Sequence, residues 1–288
     1  MISRYANIVL EAIEGRRVNA SGWSRAHCPI CEIRLGSSGR TLDLAVNVTI
    51  GYFRCWRCLP KGGWLRETGD REWVLAAPPE LPAVELPPFF VSVAEMMANP
   101  FSQAQYAHAI DYLANVRGLE ERTCREAGIG YCADGRYAQR VIIPVTQGTR
   151  CVGWLGRDIS GRRFRYANND GMARQFMLFN ENALGEDTVR PIILVEGVFD
   201  ALPYWPDAVA FLGKPSEHQL ELLLGGTERP IVVALDGNAW LEGWGVAAKL
   251  RMAGIPASFL KVPPGKDPGT VDRAWFRAQV LAAVANGI

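Results

Sequence analysis

Pro191-Ile192-Ile193-Leu194-Val195-Glu196-Gly197-Val198-Phe199-Asp200 and Pro230-Ile231-Val232-Val233-Ala234-Leu235-Asp236-Gly237-Asn238 decide the fold. Each opens with a continuous apolar run of four or five residues, too short for a helix. That is how a strand buried on both faces of a parallel sheet reads. Each run ends in a carboxylate followed at once by glycine. Open α/β sheets collect ligands at the carboxyl ends of their strands, so Glu196 and Asp236 are expected to face one crevice. Two carboxylates meeting there repel each other unless a divalent cation lies between them, and hard cations such as Mg²⁺ take oxygen ligands. The plainer alternative for either acid is a helix cap.

Outward from these stretches, strands are expected at 192–195, 208–212, 231–235 and 257–262. Helices at 216–224 and 243–253 separate them, an alternation that predicts a parallel α/β unit. Residues 271–286 read as a closing helix with Trp275, Phe276, Val280, Leu281 and Val284 inward. Leu212-Gly213-Lys214 lacks the first glycine and the spacing of a phosphate-binding P-loop, which argues against a nucleotide-hydrolysing helicase domain.

A chain of 288 residues with 49% hydrophobic content suggests two or three domains with sizeable cores. No apolar run reaches membrane-span length, and the N-terminus lacks a signal-peptide core, so a soluble, cytoplasmic protein with no membrane partner is expected. The net charge of +1 conceals a polarity along the chain. Residues 136–174 hold 8 Arg/Lys against 2 Asp/Glu, whereas residues 180–270 hold 7 against 12. A basic flank beside an acidic crevice suits a polyanion laid over a metal site. Arginines number 26 against 5 lysines; arginine is the better bidentate phosphate ligand, although a GC-rich genome produces the same bias.

Four of the seven cysteines form two hooks, Cys28-Pro29-Ile30-Cys31 and Cys55-Trp56-Arg57-Cys58, separated by 23 residues. Two such turns place four thiolates in tetrahedral reach of one Zn²⁺. The segment 41–53 between them alternates as strands do, and the whole reads as a zinc ribbon. His27 adjoins a hook that is already filled. Arg54, Trp56 and Arg57 are candidates to contact a single nucleic-acid strand; Tyr52 and Phe53 read better as the small core. Cys124, Cys132 and Cys151 have no metal-ligand spacing. A helix over residues 1–18, with Tyr5, Ile8, Val9, Ala12 and Ile13 on one face, is expected to pack on the ribbon. Five prolines in 78–90 predict a stiff linker, and 91–131 reads as helical, followed by strands at 140–145 and 152–157.

Glu196-Gly197-x-x-Asp200, Asp236-Gly237-Asn238 and Lys266-Asp267-Pro268 together resemble the Toprim domain of primases and topoisomerases. Tyr112-Leu113, Arg117-Gly118-Leu119 and Ile129-Gly130-Tyr131 resemble the opening of the polymerase domain of bacterial (DnaG-type) primases. The hooks resemble the primase zinc-binding domain, and their all-cysteine set is closer to its phage primase–helicase version. The resemblance implies an α/β and small-β organisation: zinc ribbon (1–77), Pro-rich linker (78–90), mixed α+β basic subdomain (91–184), Toprim domain (185–270) and C-terminal helix (271–288). It further implies a DNA-directed RNA polymerase that makes short RNA primers on single-stranded DNA from ribonucleoside triphosphates, alongside a separate helicase, in a bacterial or phage-infected cytosol. Glu196, Asp200, Asp236 and Asp267 would be catalytic, with Glu196, Asp236, Asn238 and Asp267 holding Mg²⁺ or Mn²⁺. Arg140, Arg157, Arg165, Asn168 and Arg174 would bind template and nucleotide, Arg165 standing where the family usually has lysine. The chain departs from the pattern at Asn238 and Gly269, where acids are usual, and in an apparent insertion at Ala239–Glu242. A Toprim nuclease and a non-enzymatic zinc-dependent single-strand binder are the rival readings.

Overall fold

The computed structural model describes residues 8–18, 23–37, 41–48, 52–67, 73–76, 81–162, 164–227, 229–252 and 255–287. The chain divides into two compact units, Met1–Glu80 with Met252–Gly254, and Leu81–Arg251 with Ile255–Ile288.

The first unit carries five antiparallel strands in sequential order. They are β1 (Trp23–Ala26), β2 (Leu44–Asn47), β3 (Tyr52–Cys55), β4 (Leu59–Glu67) and β5 (Trp73–Ala76), with helix α1 (Pro29–Leu35) after β1. Leu44 pairs with Cys55, which ties the second hook to the strand leaving the first. Of the helix expected over 1–18, residues 8–11 are helical; Tyr5 lies outside the described residues. Val9 and Ile13 are buried with Ile30, Leu44 and Phe53 around the cysteines, so this segment packs on the ribbon as its apolar face predicts.

The second unit opens with β6 (Phe90–Ser92) and helices α2 (Val93–Met96), α3 (Pro100–Gln105), α4 (Ala107–Asp111) and α5 (Glu121–Glu126). Strands β7 (Gly130–Cys132), β8 (Arg140–Gln147), β9 (Arg150–Asp158) and β10 (Tyr166–Asn168) follow, and β10-β9-β8-β7-β6 form an antiparallel sheet. The stretch expected to be wholly helical is therefore edged by strands at both ends. The described part of the expected stiff linker is held in place. Residues 81–90 lie along this sheet, with Leu81 buried, Val84 N–H donating to Cys151 O (2.8 Å) and Trp154 Nε1 donating to Glu85 O (3.1 Å). Leucine and valine between the prolines supply apolar anchors that a composition count overlooks.

The parallel sheet runs β12-β11-β13-β14. Its elements are β11 (Ile192–Val195), α6 (Val198–Ala201), β12 (Ala208–Ala210), α7 (Glu217–Gly226), β13 (Ile231–Val233), α8 (Trp240–Met252), β14 (Ala257–Phe259) and α9 (Arg273–Gly287). Every residue of β11 and β13 is buried, the condition their unbroken apolar runs predict. Phe276 and Val280 of α9 face the core as expected, whereas Trp275 and Leu281 are exposed, 37% and 65%. Among the described residues no helix is long and apolar enough to cross a membrane.

Candidate active site and zinc centre

Strand register brings the first two acids together. Leu194 of β11 lies beside Val233 of β13 in a parallel pair, and Ala234 N–H extends the ladder to Leu194 O. Glu196 and Asp236 thus leave adjacent strands at the same end of the sheet. The third acid arrives through a close backbone approach at Gly237. A Cβ there would sit only 2.0 Å from Pro263 O, while Gly237 N–H donates to Lys266 O (2.9 Å). This contact draws the loop after β14 across the tip of β13 and sets Asp267 next to Asp236. Asp200, in the first turn of α6, accepts from Gly197 N–H (3.1 Å) and Gly269 N–H (3.3 Å).

The four carboxylates form a string from Glu196 through Asp236 and Asp267 to Asp200. Burial, then Asp236, then Glu242 raise the Glu196 carboxyl above its usual range, with Lys214 opposing. Burial and Asp267 raise Asp236. Burial, Asp267 and Asp236 push Asp200 up to about 8. Repulsion of this kind, together with a buried Asp236 Oδ1 that lacks any hydrogen-bond partner, fits oxygen ligation of a divalent cation. No three of these acids converge on one point, however. Among the described residues the four hook cysteines are the only group of three or more Cys, His, Asp or Glu whose ligand atoms all lie within 4.8 Å of one another. Pairwise ligation along the string suits the acids better than a single shared ion. Asn238 is exposed and its Oδ1 accepts from Gly265 N–H (3.3 Å).

The cysteines fit zinc closely. Cys28 Sγ lies 3.5 Å from Cys58 Sγ, and Cys31 Sγ lies 3.5 Å from Cys55 Sγ. Tetrahedral Zn–S bonds of about 2.3 Å require sulfur separations of about 3.8 Å. Burial raises the Cys31 and Cys58 thiols, Cys58 to about 12, and hydrogen bonding to Cys55 with burial raises Cys28. Ionising all four needs a cation among them.

The arginines expected at the template divide. Arg140 is 7% exposed, with its guanidinium donating to Gly156 O (3.2 Å) and Phe164 O (3.1 Å). These two bonds tie its guanidinium to the sheet, which leaves little of it open to a ligand. Arg54 is likewise buried, its guanidinium 3.3 Å from the Trp56 ring centroid, whereas Arg57 of the same hook is exposed and Trp56 is half-buried. Arg165 and Arg174 are exposed, and Asn168 is half-buried on β10. Arg174 donates to Leu212 O (3.4 Å), and neighbouring Gly213 N–H donates to Glu196 O (3.1 Å), so this cation borders the first acid. Arg157 is half-buried, 4.9 Å from the Tyr166 ring. Arg117, to which the sequence motif Arg117-Gly118-Leu119 assigns no role, also borders the crevice. It donates to Tyr112 Oη (2.7 Å) and rests 4.2 Å over the Phe199 ring, one residue from Asp200. Tyr166 senses both Arg157 and Arg117, which links the basic sheet to the acidic crevice. The Arg117–Phe199 contact, between residues far apart in sequence, adds to this link.

The fold is thus a small antiparallel unit built around four cysteines and a second unit in which a five-stranded antiparallel sheet precedes a four-stranded parallel one. No protein-family model matches the sequence, and no curated protein does. Solved structures do. The Aquifex aeolicus primase zinc-binding and RNA polymerase domains align over 99% of this chain and 83% of that one, at 17% identity and TM-score 0.52. A DnaG primase catalytic domain bound to single-stranded DNA aligns over 65% and 74%, at 19% identity and TM-score 0.52. A DNA primase domain from Pseudomonas aeruginosa aligns over 67% and 75%, at 22% identity and TM-score 0.50. The chain has the fold of the DnaG primase zinc-binding and polymerase domains.

Proposed function

We propose that this protein is a DNA primase that starts short RNA chains on single-stranded DNA, with the ribbon selecting the start site. The observation that carries the reading is the string of repelling carboxylates at the ends of β11 and β13, bordered by Arg174 and Arg117. In the reaction a 3′-hydroxyl attacks an α-phosphorus and pyrophosphate leaves. Divalent ions, when bound, acidify the hydroxyl and neutralise phosphate charge. Glu196, Asp236 and Asp267 would hold them, while Asp200 orients the loop around Gly269. Arg174 and Arg165 would position phosphates, and Arg117 would steady the nucleotide side of the crevice. The four cysteines would hold Zn²⁺, which folds the ribbon. Magnesium or manganese, ribonucleoside triphosphates and a separate helicase complete the reading.

The lack of a three-acid convergence and the neutral Asn238 favour, as a second reading, a single-strand binder without catalysis. Incubation with single-stranded template, labelled ribonucleotides and Mg²⁺ or Mn²⁺ separates the two. Template-dependent short RNA is expected. Cleaved template would indicate a nuclease, and retention alone a binder. Glu196→Ala should abolish synthesis and leave template binding intact; RNA made by that variant would refute the assignment.

A further inference from the structure

The primase pattern asks for an acid at position 238 and this chain offers asparagine, its side chain turned to the backbone of Gly265. The helix that follows carries an acid that none of the motifs claims. We propose that Glu242 is the compensating carboxylate, closing the Glu196 edge of the crevice and contributing to divalent-cation binding there. The proposal rests on the metal-binding part of the primase reading.

The geometry follows from how α8 packs. Gly243, Val246, Ala247 and Leu250 face the sheet; a Cβ at Gly243 would lie 3.0 Å from the Phe259 ring and 3.4 Å from Leu235. Helical residues advance by about 100° each, so Trp244 and Arg251 share one flank and Glu242 and Lys249 the other. Trp244 and Arg251 line a groove with Phe259 and Gln279, on the side of β14 and α9. With the strand order β12-β11-β13-β14, the opposite flank faces β11. Glu242 is in the first turn of α8, at the carboxyl ends of the strands, and the carboxyl end of β11 is Glu196. Its charge is one of those that Glu196 senses, alongside Asp236. The side chain is exposed, and among the described residues no hydrogen bond or ion pair holds it. The apparent insertion at 239–242 thereby carries a carboxylate into the first turn of α8, on the flank that faces the crevice from which position 238 has lost one. Fewer ligand charges mean weaker divalent binding, and Glu242 returns one of those missing at 238 and 269.

The test is Mn²⁺ titration of the zinc-loaded full-length protein, with free Mn²⁺ followed by electron paramagnetic resonance and no nucleotide present. Glu242→Gln is expected to raise the Mn²⁺ Kd about tenfold, the scale on which groups next to metal ligands act. Asn238→Asp in the Glu242→Gln background should recover most of that loss, and Glu186→Gln, an exposed acid elsewhere, should change nothing. A Glu242→Gln protein that binds Mn²⁺ as wild type does, or no better than Glu186→Gln distinguishes, overturns the proposal even if wild type makes RNA. If the variants behave as expected yet no form of the protein synthesises RNA, Glu242 keeps its role and the primase reading fails. A wild-type protein that binds no Mn²⁺ at all overturns both.

Discussion

A methyl group at position 269 would lie 2.6 Å from Phe199 O and 3.0 Å from Asp200 Oδ1. Glycine fits there because the Phe199 carbonyl, with Asp200 Oδ1 beside it, occupies the space a Cβ would take. Restoring that acid is therefore expected to harm: Gly269→Asp should lower stability by about 1–3 kcal/mol through overpacking, read from urea denaturation, whereas Asn238→Asp, at an exposed position, should be neutral within about 0.5 kcal/mol. Equal stabilities for the two variants would contradict this account of Gly269. Asp200 yields a second prediction. Its carboxyl is pushed up to about 8 by burial and by Asp267, against about 3.9 in an unfolded chain. Between those values the folded state retains a proton that the unfolded state has lost, so stability falls as pH rises through the window. Without added divalent cation, urea midpoints should drop from pH 5 to pH 8.5, and Asp200→Asn should flatten the slope. A stability that climbs over this interval in wild type would remove Asp200 from the repelling string.

At the scale of elements, the antiparallel sheet separates arginines that look alike in sequence. Arg140 begins β8 opposite Asp158 and turns its guanidinium onto backbone carbonyls, while Arg165 and Arg174 lie outside regular pairing and face solvent. Arg140→Ala should cost about 1–3 kcal/mol by stranding those acceptors. Arg165→Ala and Arg174→Ala should leave stability unchanged and each lower the slope of log K against log salt for single-stranded DNA by about 0.7. Unchanged slopes would place the template elsewhere. Charge type alone could not make this distinction, because burial of Arg140 depends on its register with β9. The parallel strands were legible, since residues buried on both faces leave unbroken apolar runs. Their ends were not: β12, β13 and β14 stop two or three residues short of the apolar segments, although Phe211, Ala234 and Leu260 each add one ladder bond beyond them, because apolar residues there stay buried after the strand ends. The hooks were legible because zinc fixes spacing within a few residues. Arg117 and Glu242 were not, since each meets the crevice only through tertiary packing.

For the whole molecule, zinc should govern one unit and leave the other standing. Among the described residues the first unit's core cluster has ten buried members, three of them Cys28, Cys31 and Cys55, with Cys58 packed against it. A core built around four thiols depends on the cation they need before they can ionise together. The second unit draws on a much larger continuous core from Leu81 to Val280, which includes no hook cysteine. Chelation of zinc, or Cys55→Ser, is therefore expected to unfold residues 1–80 while the second unit keeps its melting temperature. Limited proteolysis should then release a resistant fragment beginning near Leu81, because Val84 and Glu85 are tied to Cys151 and Trp154 from that point on. The same treatment should leave Mn²⁺ binding at the acidic string intact and abolish start-site selection on template. A single transition that carries both units down together on zinc loss would mean that the second unit is not stable alone, and the division of labour between ribbon and crevice would have to be abandoned.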